Sequence, residues 1–237
     1  MSIYEPLEHA GIDWVIQAAL LAVGLLLLAG WAVRRSLAAT GGGVLPDQGI
    51  TVRNVIEAIL EGLANLAHQI IGHDYKRFLP LVASIFFFIL ISNLLGLVPA
   101  VGGATSDISV GLAWGIIVFF VYHYVGIVKQ GWKYVYQFTG PLFDVKIGGK
   151  VRHIPLLAPL MVVIEVPLNI ARVFTLAIRL LANMFADHTV VAVWLGLVPA
   201  LIPAIFLGLG LVVSIIQALV FSLLSMIYIG LALEEHH

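Results

Sequence analysis

Five segments of this chain are apolar over at least the ~20 residues that an α-helix needs to cross the hydrocarbon core of a lipid bilayer. They run from about 12 to 33, 78 to 97, 108 to 128, 156 to 197 and 199 to 233. A chain with 61% hydrophobic and only 11% charged residues is not a soluble domain of this length. We therefore expect an all-α polytopic membrane protein with five transmembrane helices, and residues 1–237 as a single membrane domain.

A sixth helix is predicted between the first two spans. Residues 51–73 repeat apolar side chains at helical spacing, opposite Arg53, Glu57 and Glu61. This pattern is typical of an amphipathic helix that lies at the membrane interface rather than crossing it. The segment GPLFDVKIGGK (140–150), after the third span, is predicted to be a turn-rich surface loop.

The cations predict the orientation. All of the 12 Lys and Arg residues except Arg172 and Arg179 lie between spans one and two or between spans three and four. Under the positive-inside rule those two loops are cytoplasmic, which places the N-terminus outside and the C-terminus in the cytoplasm. The ten residues concerned are Arg34, Arg35, Arg53, Lys76, Arg77, Lys129, Lys133, Lys146, Lys150 and Arg152.

Arg172 and Arg179 lie inside the fourth span, where a charged side chain costs about 3 kcal/mol on insertion scales. At about 100° per residue, Glu165, Arg172, Arg179 and Asn183 fall on one side of that helix and form a polar stripe. Such residues mark functional sites in membrane proteins by default. Two further polar residues, Asp187 and His188, lie rotated away from the stripe, toward the outer end.

The last two spans are unusually long. About 42 and 35 residues correspond to helices of roughly 60 and 50 Å, well beyond the bilayer core. We expect a strongly tilted helical hairpin, closed near Pro199 and Pro203, because both segments remain apolar throughout.

Two motifs resemble the a subunit of F-type ATP synthases, most closely the bacterial ones. AIRLLANMFADH (177–188) is similar to the family's Arg-Leu-x-x-Asn-Met stretch, and SIIQALVFSLLSMIYIGLALEEHH (214–237) is similar to its closing helix. Weaker similarities are SNLLGLVPA (92–100) and SDISVGLAWG (106–115). The resemblance covers most of the chain after about residue 50.

The resemblance implies a non-catalytic, proton-conducting stator subunit of the bacterial inner membrane. Its partners would be a ring of c subunits, the b subunits of the peripheral stalk, protons and lipid. Arg179 would be the essential cation that faces the c-ring carboxylate and separates two half-channels. Glu165 would serve the cytoplasmic half-channel; the outer pathway and the surroundings of Arg179 would involve Asn183, Asp187, His188, Gln217 and Asp107.

The sequence departs from the family pattern at two of these positions. Many bacterial relatives have a glutamate where His188 stands and a histidine where Gly210 stands. Since Gly210 cannot carry a proton, we expect Asp187 beside His188 to replace the missing relay.

Several residues also have structural interpretations. Arg172 is better explained by pairing with Glu165 or by extension toward the cytoplasmic face. Asn183 and Gln217 would each contribute about 1 kcal/mol as hydrogen bonds between helices. Asp107 precedes a helix and is a natural N-cap.

Other functions find less support. No second half mirrors the fourth and fifth spans, as a secondary transporter would require, and two arginines do not form a voltage sensor. No enzyme motif is present, and without a GxxxxGK[ST] sequence we expect no nucleotide on this chain. With a net charge of −1 and no cysteine, neither nucleic acid, a cofactor nor a metal is predicted.

Overall fold

The computed structural model describes residues 13–39, 51–98, 101–131, 143–147, 150–154, 158–197 and 201–233. Within these ranges there are six α-helices, two short 3-10 turns at Gly72–Asp74 and Ala104–Ser106, and one pair of strands. The helices are α1 (Trp14–Ala39), α2 (Val52–Ile71), α3 (Tyr75–Gly96), α4 (Ile108–Gln130), α5 (Ala158–Leu197) and α6 (Leu201–Leu233).

The prediction of five membrane-spanning helices is confirmed. Five helical stretches in the described ranges are long and apolar enough to cross a membrane: Trp14–Ala38, Val52–Gly96, Ile108–Gln130, Pro167–Gly196 and Pro203–Leu233. The stretch Val52–Gly96 comprises α2 and α3. The predicted boundaries of the five spans agree closely with α1, α3, α4, α5 and α6, except that α1 continues through Arg34 and Arg35 to Ala39. That these elements form a single domain stays a prediction.

The helix predicted at 51–73 is present as α2. The Thr51 side chain caps it by accepting a hydrogen bond from the Asn54 N–H at 3.2 Å, and it ends at Gly72, whose φ of +79° favours glycine. Its apolar face, with Leu63, Ala67 and Ile71, is buried as expected. Arg53 is also buried, at 2% exposure, instead of lying on the polar face, and its Nε donates to Glu57 Oε1 at 2.8 Å. A location at the membrane interface stays a prediction.

The segment 140–150 was predicted to be a turn-rich surface loop, but its described residues belong to two strands. Strands β1 (Phe143–Ile147) and β2 (Lys150–Ile154) pair antiparallel, with Phe143 opposite Ile154 and Ile147 opposite Lys150. The alternation of apolar and charged residues in FDVKI is the period-two pattern of a strand. The glycines in the segment 140–150 are typical of turns, and they led to the prediction of a loop.

The core lies where α3 packs against α6, with α1 and α2 also packed on α3. Val82, Ile85 and Ile89 of α3 and Phe221 and Ile229 of α6 are almost completely buried. Helix α6 thereby lies beside α2, α3 and α4.

Helix α5 is held against α4 by close backbone approach. An ideal Cβ on Gly111 would lie 2.9 Å from the Ala177 Cα, and one on Gly115 would lie 3.0 Å from the Val173 Cγ1. Glycines four residues apart form the small-residue pattern through which membrane helices pack closely. This contact places the middle of α5, including Arg179, at the edge of the helical assembly.

Candidate functional site

Arg179 lies on the outward face of α5. The neighbouring residues Leu176, Ala177 and Leu180 are at most 2% exposed, whereas Arg179 is exposed together with Ile178. No hydrogen bond or ion pair joins its guanidinium to another residue of the described ranges. The arginine is therefore a cation presented on an apolar surface, available to a group outside the chain.

Asn183 follows Arg179 by one helical turn and connects α5 to α6. Its Nδ2 donates a hydrogen bond to Gln217 Oε1 at 2.9 Å. Gln217 is only 5% exposed, and its Nε2 has no hydrogen-bond partner among the described residues. The structure thus joins Gln217 to Asn183 rather than to Arg179 itself.

Asp187 lies a further turn along α5, against Gly210 of α6. An ideal Cβ on Gly210 would come 3.5 Å from Asp187 Oδ2 and 2.6 Å from Leu97 Cδ2. The Asp187 carboxylate therefore lies beside the position that a side chain at residue 210 would occupy. A larger residue there would have to displace Leu97.

His188 points to a different neighbour. Its Nε2 lies 2.9 Å from the Gly96 carbonyl oxygen, at the C-terminal end of α3. Asp187 thus lies toward α6, as Asn183 does, whereas His188 contacts α3. The predicted rotation of both residues away from the polar stripe stays a prediction.

Asp107 caps α4. Its Oδ1 accepts a hydrogen bond from the Ser109 N–H at 2.7 Å, which is the N-cap arrangement. No hydrogen bond or ion pair joins Asp107 to Asp187 or His188 within the ranges described. Its local contact agrees with the structural interpretation.

Arg172 belongs to a polar cluster that sequence reasoning did not assemble. Its Nη1 donates to Asn169 Oδ1 at 3.3 Å, and its Cζ lies 5.1 Å from the centre of the Tyr228 ring. The Tyr122 hydroxyl donates to the same Asn169 oxygen at 2.9 Å. Helices α4, α5 and α6 are therefore joined here by one amide, one cation and two tyrosines, which supports a structural role for Arg172.

Glu165 lies in α5, but its side chain is outside the described part of the structure. The pairing of Glu165 with Arg172 stays a prediction.

Asn93 forms a second cluster that sequence reasoning missed. The Thr105 hydroxyl donates to Asn93 Oδ1 at 2.7 Å, and Asn93 Nδ2 reaches the Ser214 carbonyl oxygen at 3.5 Å. Asn93 and Thr105 are at most 1% exposed. The signal was the polar Ser92-Asn93 pair inside an otherwise apolar span.

Among the described residues, no group of three His, Asp or Glu side chains is placed so that it could hold a metal ion.

The fold and the site together define a multi-pass α-helical membrane protein whose last two helices form a long hairpin with an outward-facing arginine.

Comparison with known proteins gives a consistent result. A profile of the ATP synthase A chain family matches residues 15–230. The chain is 37% identical over 231 residues to ATP synthase subunit a of Bdellovibrio bacteriovorus, covering 97% of this chain and 94% of that protein. It is 38% identical over 235 residues to the subunit a of Geotalea uraniireducens, covering 98% and 93%.

The chain therefore belongs to the ATP synthase A chain family. It is a multi-pass bacterial membrane protein and a proton-translocating subunit of the membrane sector of an ATP synthase. The resemblance stated from residues 177–188 and 214–237 is confirmed.

Proposed function

We propose that this chain is the stator subunit that conducts protons through two half-channels and couples their passage to rotation of a c-ring. The observation that carries the proposal is Arg179, which lies exposed on α5 beside apolar side chains and without a partner in the described ranges. A membrane cation in this position needs an anionic group from another subunit, because burial in lipid without one is costly.

The ring carboxylate would be that group. At about 4 Å and an effective dielectric of about 20, two opposite unit charges attract by about 4 kcal/mol. This favours the ionised carboxylate by about a thousandfold, so that a carboxylate arriving at Arg179 releases its proton. The fixed charge also repels protons that would otherwise pass directly between the half-channels.

Arginine suits this role better than lysine. Its guanidinium stays charged at any accessible pH and holds a carboxylate through two parallel hydrogen bonds, whereas a buried lysine can lose its charge. The role of Arg179 thus depends on its geometry as well as its charge.

The other polar residues divide by depth along α5. Glu165 lies on the N-terminal, inner side of Arg179 and would serve the cytoplasmic half-channel. Asp187 and His188 lie on its outer side and would serve the outer half-channel, with Asp107 near its mouth. Asn183 and Gln217, hydrogen-bonded to each other, would line the path next to the arginine.

The proposed surroundings follow from the same arrangement. The c-ring would cover the exposed face of α5 and α6, where Ile178, Phe185 and Val212 are at least 49% exposed. The b subunits of the peripheral stalk would hold the chain still. The N-terminus would lie outside and the C-terminus in the cytoplasm, as the distribution of cations indicates.

The test is Arg179→Ala in the assembled complex, in membrane vesicles. We expect a loss of proton-driven ATP synthesis of at least a hundredfold, with normal amounts of the subunit on a blot. Near-normal coupled synthesis in assembled complexes would reject both the site and the function proposed.

A further inference from the structure

Serine hydroxyls buried in apolar helices usually bond to the carbonyl oxygen one turn earlier. In α6 the Ser222 hydroxyl donates to the Ala218 carbonyl and the Ser225 hydroxyl to the Phe221 carbonyl, both at 2.9 Å. Both serines are 0% exposed. The hydroxyl groups of both serines therefore have hydrogen-bond acceptors within the helix.

Ser214, on the same helix, behaves differently. It is 2% exposed, yet its Oγ has no hydrogen-bond partner among the residues that the structure describes. Leaving a buried hydroxyl without a partner costs about 1–3 kcal/mol. Buried polar groups that lack a protein partner are commonly satisfied by ordered water.

Other polar atoms that could bind the same water lie close to Ser214. The Nε2 of Gln217, three residues later, has no partner in the described ranges, and the Nδ2 of Asn93 makes only a long 3.5 Å contact with the Ser214 carbonyl oxygen. The hydroxyl of Ser92, which precedes Asn93, is likewise buried and has no partner there. Two to four such groups are what a buried water requires.

The position of Ser214 along α6 indicates that this water takes part in proton transfer. Gly210, which lies against Asp187, and Gln217, which bonds to Asn183, are about 10 Å apart along α6. A hydrogen bond spans about 3 Å, so a proton cannot cross this interval in one step. Ser214 lies between the two levels, about 6 Å from Gly210 and 4.5 Å from Gln217 along the helix axis.

We propose that Ser214 positions ordered water between Asp187 and the Asn183–Gln217 pair, and that this water carries protons through the inner part of the outer half-channel. A proton added to one end of the hydrogen-bonded line is matched by one released at the other, so that each water and the serine hydroxyl end neutral and chemically unchanged. Ser214 is a positioning residue. The inference rests on the function proposed above.

The absence of cysteine from the chain allows a direct test. Ser214→Cys, Ser222→Cys and Ser225→Cys would each be assembled into the ATP synthase in membrane vesicles and treated with silver ion, which reacts with thiols that water can reach. Vesicles with the unsubstituted chain measure the background. We expect ATP-driven proton pumping by Ser214→Cys to be inhibited at least fivefold faster than pumping by the other two variants.

A second measurement tests the role in conduction. Ser214→Ala should lower passive proton flux through the membrane sector about threefold or more, with a normal amount of the subunit, whereas Ser222→Ala should leave the flux unchanged. The inference would be overturned if silver ion inhibited pumping by Ser214→Cys and Ser222→Cys at the same rate. It would also be overturned if passive proton flux were unchanged in Ser214→Ala. The proposed function is judged separately, by Arg179→Ala.

Discussion

The side chain of Asn183 donates a 2.9 Å hydrogen bond to that of Gln217 and thereby links the two long helices one turn beyond Arg179. The bond joins residues 34 positions apart in the sequence, at a buried glutamine. The surface that presents Arg179 is therefore held in place by a polar contact, on the side of α5 that faces α6.

Breaking this link should reduce coupling without preventing assembly. Asn183→Leu leaves the Gln217 amide without its partner, and we expect ATP synthesis to fall about three- to tenfold, with a loss of stability of about 1 kcal/mol. The measurement is proton-driven ATP synthesis together with thermal unfolding of the purified complex. Gln217→Leu should have a similar effect, and the double variant should cost less than the sum of the two. Fully additive losses would show that the two side chains act independently.

Replacing Arg179 by lysine tests geometry separately from charge. We expect Arg179→Lys to lose at least ten- to a hundredfold of coupled synthesis, since an ammonium group cannot make the forked contact, but to leak fewer protons than Arg179→Ala. Synthesis and passive proton flux in vesicles measure the two effects. The matched control is Arg172→Ala, which should retain substantial activity. Wild-type synthesis in Arg179→Lys would indicate that charge alone is sufficient.

The Asn169 cluster should matter for stability more than for proton transfer. Asn169→Leu removes the acceptor shared by Tyr122 and Arg172, and we expect a loss of about 2–3 kcal/mol because a buried tyrosine hydroxyl and a half-buried guanidinium lose this acceptor. The midpoint of thermal unfolding and the amount of subunit in membranes report this. Thr175→Val is the control, since Thr175 is exposed and its hydroxyl donates to the Arg172 backbone carbonyl. An Asn169→Leu variant as stable as this control would contradict a structural role for the cluster.

The two half-channels should be distinguishable from opposite sides of the membrane. A membrane-impermeant thiol reagent should label Glu165→Cys from the cytoplasmic side and His188→Cys from the outer side. Right-side-out and inverted vesicles supply the two orientations. Labelling of both positions from the same side only would reject the division of these residues between two pathways.

The close approach of α4 and α5 should tolerate no added side chain. Gly111→Val would place its Cβ against the Ala177 backbone, and we expect it to displace α5 and to reduce both assembly and coupled synthesis at least fivefold. Gly30→Val in α1 is the control, because no atom of another described residue lies within 4 Å of a Cβ at that position. Western blots and synthesis assays of both variants provide the comparison, and equal behaviour would show that the contact is not needed.

Much of the fold follows from properties that are local in the sequence. The five spans, the amphipathic α2 and the N-caps at Thr51 and Asp107 depend on apolar run length, helical periodicity and single capping residues. The hairpin of β1 and β2 was missed because its two short alternating strands are surrounded by turn-forming residues. Arg53 was placed on the wrong face, although at about 100° per residue it lies within about 40° of the buried Ala67 and Ile71.

The functional site likewise has features that local sequence predicts and features that depend on how the helices pack. An arginine within the membrane at position 179 could be predicted without a structure, because a charge inside a long apolar run is apparent from the residues alone. The outward direction of Arg179, the contacts of Arg172 with Asn169 and Tyr228, and the position of Asp187 beside Gly210 appear only once the helices are packed. Such relationships join residues that are distant in the chain: Tyr122 and Asn169 meet across 47 positions, and no local pattern encodes this contact.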